Sequence, residues 1–384
     1  MAEHQHGSDQ DSSGYAMGFG RDPEAAKLDT LSIAETLRDA GHLHVLKATP
    51  ETCFWGFFDQ SLPPVLTIDS GDIVYVEALT HQAGGAPDLM MDLAVRAVYD
   101  QVSDRGPGMH IMSGPIAVRG AEPGDTLVVK ILKTTPRLPY GVNIAAHWGY
   151  LYNSFKKERL TIYKLDAELG LAQPAFAYDF KSQPLYNHPG LIIPAEAANR
   201  EPIKTQVAIP LRPHFGIMGV APAQSGRISS VPPGLFGGNI DNWRMGAGAT
   251  VYYPVFTPGA NFFVGDPHMG QGDGEISGTA IEASMNAWLQ VSLIKDFPVR
   301  SPLLETESHW ITHGFDHDFD QAVSQCADQM LDFLQTKRKM SADEAYALMS
   351  VAVDFGITQM VNQRRGCHAS LPKCLFLPMP DGHE

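Results

Sequence analysis

The stretch HVLKATPETCFWGFFDQSLPPVLTIDSGDIVYVEAL, residues 44–79, decides the fold class, because apolar and polar residues alternate in it between interruptions by Pro and Gly. Such alternation is typical of strands with one buried face, and Pro and Gly mark turns. DSGDIVYVEAL at 69–79 and EPGDTLVVKIL at 122–132 each place a Gly-Asp turn before an alternating strand, which predicts a repeated hairpin. The aspartates expected to cap backbone N–H groups in these turns are Asp69, Asp72 and Asp125.

The last third of the chain changes to helical spacing of apolar residues. Phe319, Cys326, Met330 and Phe333 recur at this spacing, and Ser341 to Glu344 forms a capping box before AYALMSVAVDFG. The sequence therefore predicts a mainly β fold of the α+β type, an antiparallel β-sandwich with additional helices, two of them near the C-terminus. Further strands are predicted near 203–209, 215–220, 250–256, 261–265 and 287–295.

Residues 1–42 form a polar N-terminal extension, in which Ser32 to Ala40 is a candidate short helix. Residues 43–384 are predicted to form one domain, because no long linker interrupts them. The 28 Lys and Arg residues against 43 Asp and Glu residues give a formal net charge of −15, which repels phosphate backbones and anionic membranes, so nucleic acid is not an expected partner.

The four cysteines include no C-x-x-C pair, which argues against a disulfide framework and a thiolate zinc site. No stretch of about 18 uncharged apolar residues occurs, and the first residues contain no apolar signal segment. We therefore expect a cytoplasmic protein without a membrane partner.

Polar residues concentrate in GGNIDNWRMGAGATVYYPVFTPGANFFVGDPHMGQGDGEISGTAIEASM, residues 237–285. Asp266 and His268 are two positions apart, and so are Asp273 and Glu275, so an extended backbone would project each pair to one face. An imidazole with carboxylates suits a divalent ion, and a free carboxylate there could carry a proton to a leaving nitrogen. Alternatively, these residues cap turns in a glycine-rich loop. The spacing leaves both interpretations open.

The motifs GGNIDN, YYPVFTPGANFFVGDPHMGQGDGE and GTAIE closely resemble those of the acetamidase/formamidase family. The resemblance extends over roughly residues 43–375 and includes HIMSGPIAVRGAEPGDTL and ETESHWITHGFD. It implies a β-rich sandwich, assembly into a homodimer or higher homo-oligomer, and hydrolysis of small neutral amides of the formamide or acetamide type. It also implies a divalent metal ion, with zinc as the expected ion.

The resemblance places the family's acidic and histidine positions at Asp241, Asp266, His268, Asp273, Glu275, Glu282 and His110, and the chemistry of metal-assisted amide hydrolysis divides the expected roles. The expected metal ligands are His268, Asp266, Asp241 and His110, and the expected proton-transfer residues are Glu275, Glu282 and Asp273. The expected substrate-binding residues are Gly238, Asn239, Gly265, His147 and Trp148, of which the last two lie where the sequence departs from the commonest family pattern. Two alternatives remain: a non-catalytic small-ligand-binding β-sandwich, and a hydrolase of another C–N substrate such as a carbamate or formyl-amine.

Two other groups of reactive side chains receive structural interpretations. His309, His313 and His317 step by four, but Gly314 and the strand-like HWIT argue against a helix, and surface positions are predicted for all three. Cys367 and His368 are adjacent, so a strand would point them to opposite faces, and a structural thiol is predicted.

Overall fold

The computed structural model describes residues 41–180, 189–205 and 207–376. Most of the predicted N-terminal extension, including the candidate helix at 32–40, lies outside the described residues. The strands, in chain order, are β1 Leu43–Leu46, β2 Cys53–Trp55, β3 Phe57–Phe58, β4 Leu66–Ile68, β5 Ile73–Ala78, β6 Ile111–Val118, β7 Thr126–Pro136, β8 Tyr140–Ala145, β9 Arg159–Asp166, β10 Leu171–Asp179, β11 Glu201–Pro202, β12 Ile209–Pro210, β13 His214–Gly219, β14 Ile228–Ser229, β15 Gly237–Asn239, β16 Thr250–Pro254, β17 Phe262–His268, β18 Met285–Ile294, β19 Leu303–Glu305, β20 His309–Asp316, β21 Asp354–Gln359 and β22 Arg365–Pro372.

Helical segments lie between the strands of this mainly β chain. The α-helices in the described part are α1 Pro87–Met90, α2 Leu93–Gln101, α3 Phe319–Lys337 and α4 Ala342–Ala352, and the 3₁₀ turns are Ala83–Gly85, Ala195–Ala197 and Lys373–Leu375. None of the helices in this part combines the length and the apolar character that a membrane crossing requires. The mainly β fold with two late helices is confirmed.

Two sheets pack face to face around the main core. One has nine strands in the order β1-β5-β18-β7-β16-β19-β20-β22-β21, and the other has the order β15-β13-β17-β6-β2 with β4 beside β6. Alternate residues of β5, β7 and β18 face alternate residues of β6, β13 and β17, because successive side chains of a strand point to opposite faces. The fully buried residues at this contact include Val74, Val129, Leu289, Met112, Ile217 and Val264. Burial of each such side chain contributes about 1.5–3 kcal/mol.

Pairing within these sheets is antiparallel with two exceptions. β1 pairs with β5, and β4 pairs with β6, in parallel. The chain between β1 and β5 crosses to the other sheet and returns, and a crossover of this kind allows a parallel pair.

A third sheet, formed by β8, β9 and β10 with the short strands β11 and β12, lies beside the sandwich. It encloses a second core with α2, in which Ile144, Ile162 and Val98 are fully buried. The strand predicted near 203–209 is wrong for the described residues of that range, since β11 ends at Pro202 and only Ile209, the first residue of β12, lies in a strand. Pro202 and Pro210 carry no N–H, so neither can donate to a ladder. Strands were correctly predicted near β13, β16, β17 and β18.

The C-terminal helices cover one end of the large sheet. Cys326, Met330 and Leu334 of α3 pack on Cys367 and Ala369 of β22. The side chain of Asp318 caps the N-terminus of α3, and α4 begins at the predicted capping box. Both predicted helices are therefore confirmed.

The three histidines spaced by four do not lie on a helix, as predicted, because β20 contains the first two. The surface prediction is wrong for His313, which is fully buried and hydrogen-bonded to Asn242 (3.0 Å) and to the carbonyl of Pro302 (3.1 Å). Ile311 and Phe315, which lie on the same face of β20 as His313, pack in the main core, so this face is covered. Cys367 packs against α3, whereas His368 bonds to Thr358, so this pair does point to opposite faces.

Candidate active site

A cavity of about 420 Å³ opens at one end of the sandwich. Six segments deliver acidic and imidazole side chains to it or to its floor: the residues after β5, before β6, after β15, along β17, in the loop after β17 and before β18. We call this set the carboxylate–histidine cluster; its members are His81, His110, Asp241, Asp266, His268, Glu275 and Glu282, and all are buried.

Asp266 lies at the centre of the cluster. Its carboxylate contacts the Nε2 atom of His268 (3.3 Å), the Nδ1 atom of His81 (3.6 Å) and the Nε2 atom of His110 (3.8 Å). The Nε2 atom of His268 also lies 3.2 Å from Glu282 Oε1. The carboxylate of Asp266 thus lies within 3.8 Å of three imidazole rings.

The backbone of the site is unusual where these side chains converge. Asp241, Asp266 and Glu275 have φ values of 54°, 49° and 44°, in the left-handed region that L-residues rarely adopt. Each such residue costs on the order of 1–3 kcal/mol, a cost that concentrates at functional sites. Gly216 of β13 passes behind them so closely that an added Cβ would lie 2.6 Å from Asp241 Oδ1 and 2.8 Å from Asp266 Oδ2.

Amide and hydroxyl side chains orient the cluster from behind. Gln271 accepts a hydrogen bond from Nδ1 of His268 (3.1 Å) and donates one to the carbonyl of Asp241 (2.6 Å). Asn362, in the loop after β21, donates to the carboxylate of Asp241. Ser230 Oγ lies 2.9 Å from Nδ1 of His110 and holds that ring with Nε2 toward the cluster. Such second contacts fix which ring nitrogen faces a ligand.

Three of the carboxyl groups favour the protonated state. Burial raises the pKa of Asp241 to about 7 and that of Glu282 to about 8. Burial, reinforced by the charge of Asp241, raises the pKa of Glu275 well above its ordinary value. Near neutral pH, Asp241 and Glu282 can therefore both take up and release a proton.

Asp266 and His268 behave in the opposite way. Burial acts to raise the pKa of Asp266, but its interactions with the rings of His110 and His268 outweigh burial and hold that pKa well below its ordinary value. Burial disfavours a charge on His268, but Glu282 and Asp266 raise its pKa well above the usual value. Burial lowers the pKa of His81 to about 3, so this ring is neutral. Environment thus separates the roles of chemically similar groups.

The donor set suits a divalent metal ion. Asp266, His268 and Glu282 offer ligand atoms that lie within 4.8 Å of one another. Donor atoms about 2.0–2.1 Å from a tetrahedral zinc ion lie roughly 3.3–3.4 Å apart, close to the 3.2 and 3.3 Å found around Nε2 of His268. Buried carboxylate oxygens of Asp241, Glu275 and Glu282 have no hydrogen-bond partner among the described residues, and such atoms require compensation.

Most of the residues expected at the site are indeed brought together. The expected residues that belong to the cluster are Asp241, Asp266, His268, His110, Glu275 and Glu282, and those that line the rest of the cavity are Asn239, His147 and Trp148. The ring of Trp148 packs on Gly278, where an added Cβ would lie 1.8 Å from its Cδ1 atom. Trp148 therefore forms a fixed wall of the cavity.

Asp273 does not join the cluster. Its carboxylate accepts hydrogen bonds from Arg244 (2.9 and 3.1 Å) and from Nε1 of Trp243 (2.9 Å), outside the cavity. The expected convergence with Glu275 requires an extended backbone, but Gly274 and Glu275 both have positive φ and the chain turns there. Asp273 thus has a structural ion pair as its contact, and we assign it no chemical role.

Gly238 and Gly265 also lie outside the cavity lining. An added Cβ at Gly265 would lie 2.4 Å from the carbonyl oxygen of Ile111, and one at Gly238 would lie 3.0 Å from the ring of Phe236. These glycines allow neighbouring strands and rings to pack closely. They were expected to contact the substrate, but in the structure they have a packing role.

Sequence analysis missed three residues that matter here: His81, Gln271 and Asn362. His81 directly follows the alternating strand at 69–79, and a histidine at the end of a buried strand is a signal that could have been used. Gln271 lies within the recognised polar segment. Asn362 comes from a distant loop, and nothing local in the sequence marks it.

Comparison with known proteins finds relatives that are named formamidase and acetamidase. The chain is 30% identical over 282 residues to a formamidase of Methylophilus methylotrophus, covering 64% of this chain and 66% of the relative. It is 33% identical over 226 residues to an acetamidase of Mycolicibacterium smegmatis, covering 48% and 54%. The matches thus span between 54% and 66% of the length of the curated relatives.

Solved structures extend the match over nearly the whole fold. The crystal structure of an acetamidase from Bacillus halodurans superposes with a TM-score of 0.68 at 26% identity, covering 86% of this chain and 98% of that one. The sequence model of the Acetamidase/Formamidase family matches residues 50–229 and 226–377, which is most of the chain. The chain therefore belongs to the acetamidase/formamidase family.

Proposed function

We propose that the protein hydrolyses the C–N bond of small linear amides to a carboxylate and ammonia. The observation that carries the proposal is the carboxylate–histidine cluster at one cavity. Its carboxyl groups differ in pKa, which is raised for Asp241 and Glu282 and lowered for Asp266. Family membership and the names of the relatives, formamidase and acetamidase, support the same reaction.

The residues that would hold a divalent ion are Asp266, His268 and Glu282, and zinc is the ion we propose because imidazole and carboxylate donors suit it. Such an ion supplies Lewis acidity, which polarises a carbonyl and lowers the pKa of a water molecule. Among the described residues, Asp266 is the one carboxylate of the cluster whose pKa is held low, so it remains an anionic donor.

Glu275 and Asp241 are suited to carry the protons of the reaction. Their ligand oxygens lie within 4.8 Å of each other, and burial raises the pKa of both. The ionised member takes a proton from the water that attacks the carbonyl carbon. The carboxylic acid then donates a proton to the amide nitrogen, because an unprotonated amide nitrogen is a very poor leaving group, and the C–N bond breaks.

Asn239 is placed to orient the substrate. Its Nδ2 atom donates to the carbonyl of Val231 (2.9 Å), which turns Oδ1 away as a buried acceptor without a partner among the described residues. A primary amide carries two N–H donors, and Oδ1 would accept one of them. A site that hydrogen-bonds a substrate N–H discriminates strongly against analogues without it.

The cavity leaves room for acyl groups larger than formyl or acetyl. Its volume of about 420 Å³ falls within the ~300–1,000 Å³ of pockets that hold much larger ligands. This observation favours a second candidate substrate class, namely amides with longer acyl groups or N-formyl amines. Hydrolysis would break the same amide C–N bond.

Ammonia release from a panel of amides tests the proposal. Purified protein supplied with zinc should release ammonia from formamide, acetamide or a longer primary amide, and should leave the matching methyl esters, which lack the N–H donors, much less affected. Absence of ammonia from every amide, in protein with bound metal, would contradict the proposed function.

A further inference from the structure

The carboxylate–histidine cluster offers more ligands than one ion requires. A catalytic zinc ion uses about three protein ligands. Two groups of ligand atoms, each within 4.8 Å, can be drawn with a single shared member, Asp266: one with His81 and His110, the other with His268 and Glu282. Both oxygens of Asp266 are engaged, because His81 lies nearest Oδ1 whereas His110 and His268 lie nearest Oδ2.

His81 and His110 form the first group. The Nδ1 atom of His81 lies 3.6 Å from Asp266 Oδ1, the Nε2 atom of His110 lies 3.8 Å from Asp266 Oδ2, and the two rings meet edge to face at 4.7 Å. Both rings are buried. Two imidazoles beside a carboxylate form a donor set of the kind that binds a divalent ion.

The orientation of His268 decides the composition of the second group. Its Nδ1 atom donates toward Gln271 Oε1 (3.1 Å) and lies 3.3 Å from Nε2 of His214. Nε2 is therefore the nitrogen available as a ligand, and it faces Asp266 and Glu282. Asp241 lies 4.0 Å from the Nδ1 side of the ring, so it is left to act with Glu275.

The charge of the site also indicates two ions, one for each ligand group. Asp241, Asp266, Glu275 and Glu282 bring four carboxyl groups to the site, and no Lys or Arg occurs among the described residues that line the cavity. Several kcal/mol per ion is the usual cost of an uncompensated buried charge. The proposed proton transfer keeps one proton on the Glu275–Asp241 pair, so three carboxylates remain, and their charge exceeds that of one divalent cation but not that of two.

We propose that the protein binds two divalent cations bridged by Asp266, one held by His81 and His110 and the other by His268 and Glu282. This inference rests on the proposed function for the ion held by His268 and Glu282. The ion held by His81 and His110 is new. His81, which the sequence analysis did not include, becomes a ligand in this arrangement.

The number of bound ions tests the inference directly. The full chain, freed of metal with a chelator, should take up two equivalents of Zn²⁺ or Mn²⁺, and the Mn²⁺ form should show the exchange-coupled EPR spectrum of two ions joined by a bridging carboxylate. His110→Ala should bind one equivalent and show an uncoupled spectrum. Glu282→Gln should also lose one equivalent, from the other group.

His147→Ala is the matched control, because this histidine lines the same cavity but belongs to neither ligand group. It should retain two equivalents and the coupled spectrum. Should His110→Ala not fold, as judged by its thermal transition, the wild-type count and EPR spectrum decide on their own.

One equivalent in the wild-type protein, or an uncoupled spectrum at two equivalents, would overturn the inference. These measurements do not use turnover, so the two proposals can fail separately. One bound ion with full ammonia release would retain the proposed function and remove the second ion. Two coupled ions without ammonia release would retain the metal pair and remove the function.

Discussion

Gly216 presents only a hydrogen atom to the carboxylate–histidine cluster. The substitution Gly216→Ala would place a Cβ 2.6 Å from Asp241 Oδ1 and 2.7 Å from Cε1 of His268, so both side chains would have to move. A displacement of about 1 Å at such a site costs up to ~10²-fold in rate. We expect kcat for amide hydrolysis to fall by roughly 10-fold to 10²-fold.

Gly272→Ala is the control for this change. Gly272 has open space around its Cβ position, and its φ lies outside the left-handed region, so turnover and melting temperature should stay near wild type. Equal activity of Gly216→Ala and Gly272→Ala would show that Gly216 does not shape the site.

Some positions of the site could be predicted from the sequence and others could not. The spacing of Asp266 and His268 predicted their convergence correctly, because both lie on β17. The same argument failed for Asp273 and Glu275, because the chain turns between them and Arg244 binds the first. Spacing predicted convergence where one strand holds both residues, even though the φ of Asp266 is positive, and it gives no information on partners from distant loops, such as Asn362.

The two Gly-Asp turns share one geometry. Asp72 Oδ2 accepts the N–H of Asp69 (2.9 Å) and Asp125 Oδ2 accepts the N–H of Glu122 (2.8 Å), while the glycines before them, Gly71 and Gly124, have the same φ of 97°. The repeated Gly-Asp turn predicted from 69–79 and 122–132 is therefore present, but the predicted hairpin is wrong, because each turn connects strands of different sheets, β4 to β5 and β6 to β7.

Gly71→Val and Gly124→Val should each lower the melting temperature. Nothing lies within 4 Å of either Cβ position, so the effect would come from the left-handed backbone alone, at about 1–3 kcal/mol. Gly272→Val, with open space but ordinary φ, should change the melting temperature little. Unchanged melting of both turn variants would mean that the turns relax without cost.

Asp72 should make the free energy of unfolding of the protein depend on pH in the acidic range. Burial acts to raise its pKa, but hydrogen bonds from the N–H groups of Asp69 and His42 and from His44 outweigh burial and lower it. Because the folded pKa lies below the unfolded value of about 3.9, the carboxylate stabilises the fold above that pH, and the contribution is lost as the pH falls through the folded pKa.

Thermal unfolding of Asp72→Asn at several pH values measures this contribution. The variant should melt below wild type at pH 7, and the difference should shrink as the pH drops below about 4. A difference that stays constant down to acidic pH would show that geometry, and not the charge, accounts for the loss.

Elements with strong local signals were predicted best. Apolar spacing and the Ser341 capping box gave both late helices, and alternation gave β13, β16, β17 and β18. The sheet of β8 to β10 was missed because its strands are half-exposed and carry polar residues such as Lys164 and Gln173, which weaken the alternation. The short helices α1 and α2 were missed because four and nine residues contain too few turns to give a clear helical period.

At the scale of the whole molecule, the site exists only because the two sheets of the sandwich meet. His81 follows a strand of the large sheet, Asp266 and His268 lie on a strand of the facing sheet, and Glu282 bridges to both β8 and β17. These residues are separated by up to about 200 positions in the chain, so only the assembled fold brings them within hydrogen-bonding range.

Glu275 and Asp273 provide the most direct test of the account, because they are acidic residues two positions apart that the fold sends to different places. Turnover of a primary amide by Glu275→Gln and Asp273→Asn, at equal metal content, is the measurement. The account predicts that Glu275→Gln loses about 10²-fold or more in kcat, since it removes a positioned proton carrier, whereas Asp273→Asn stays close to wild type. Wild-type turnover in Glu275→Gln, or an equal loss in both variants, would contradict it.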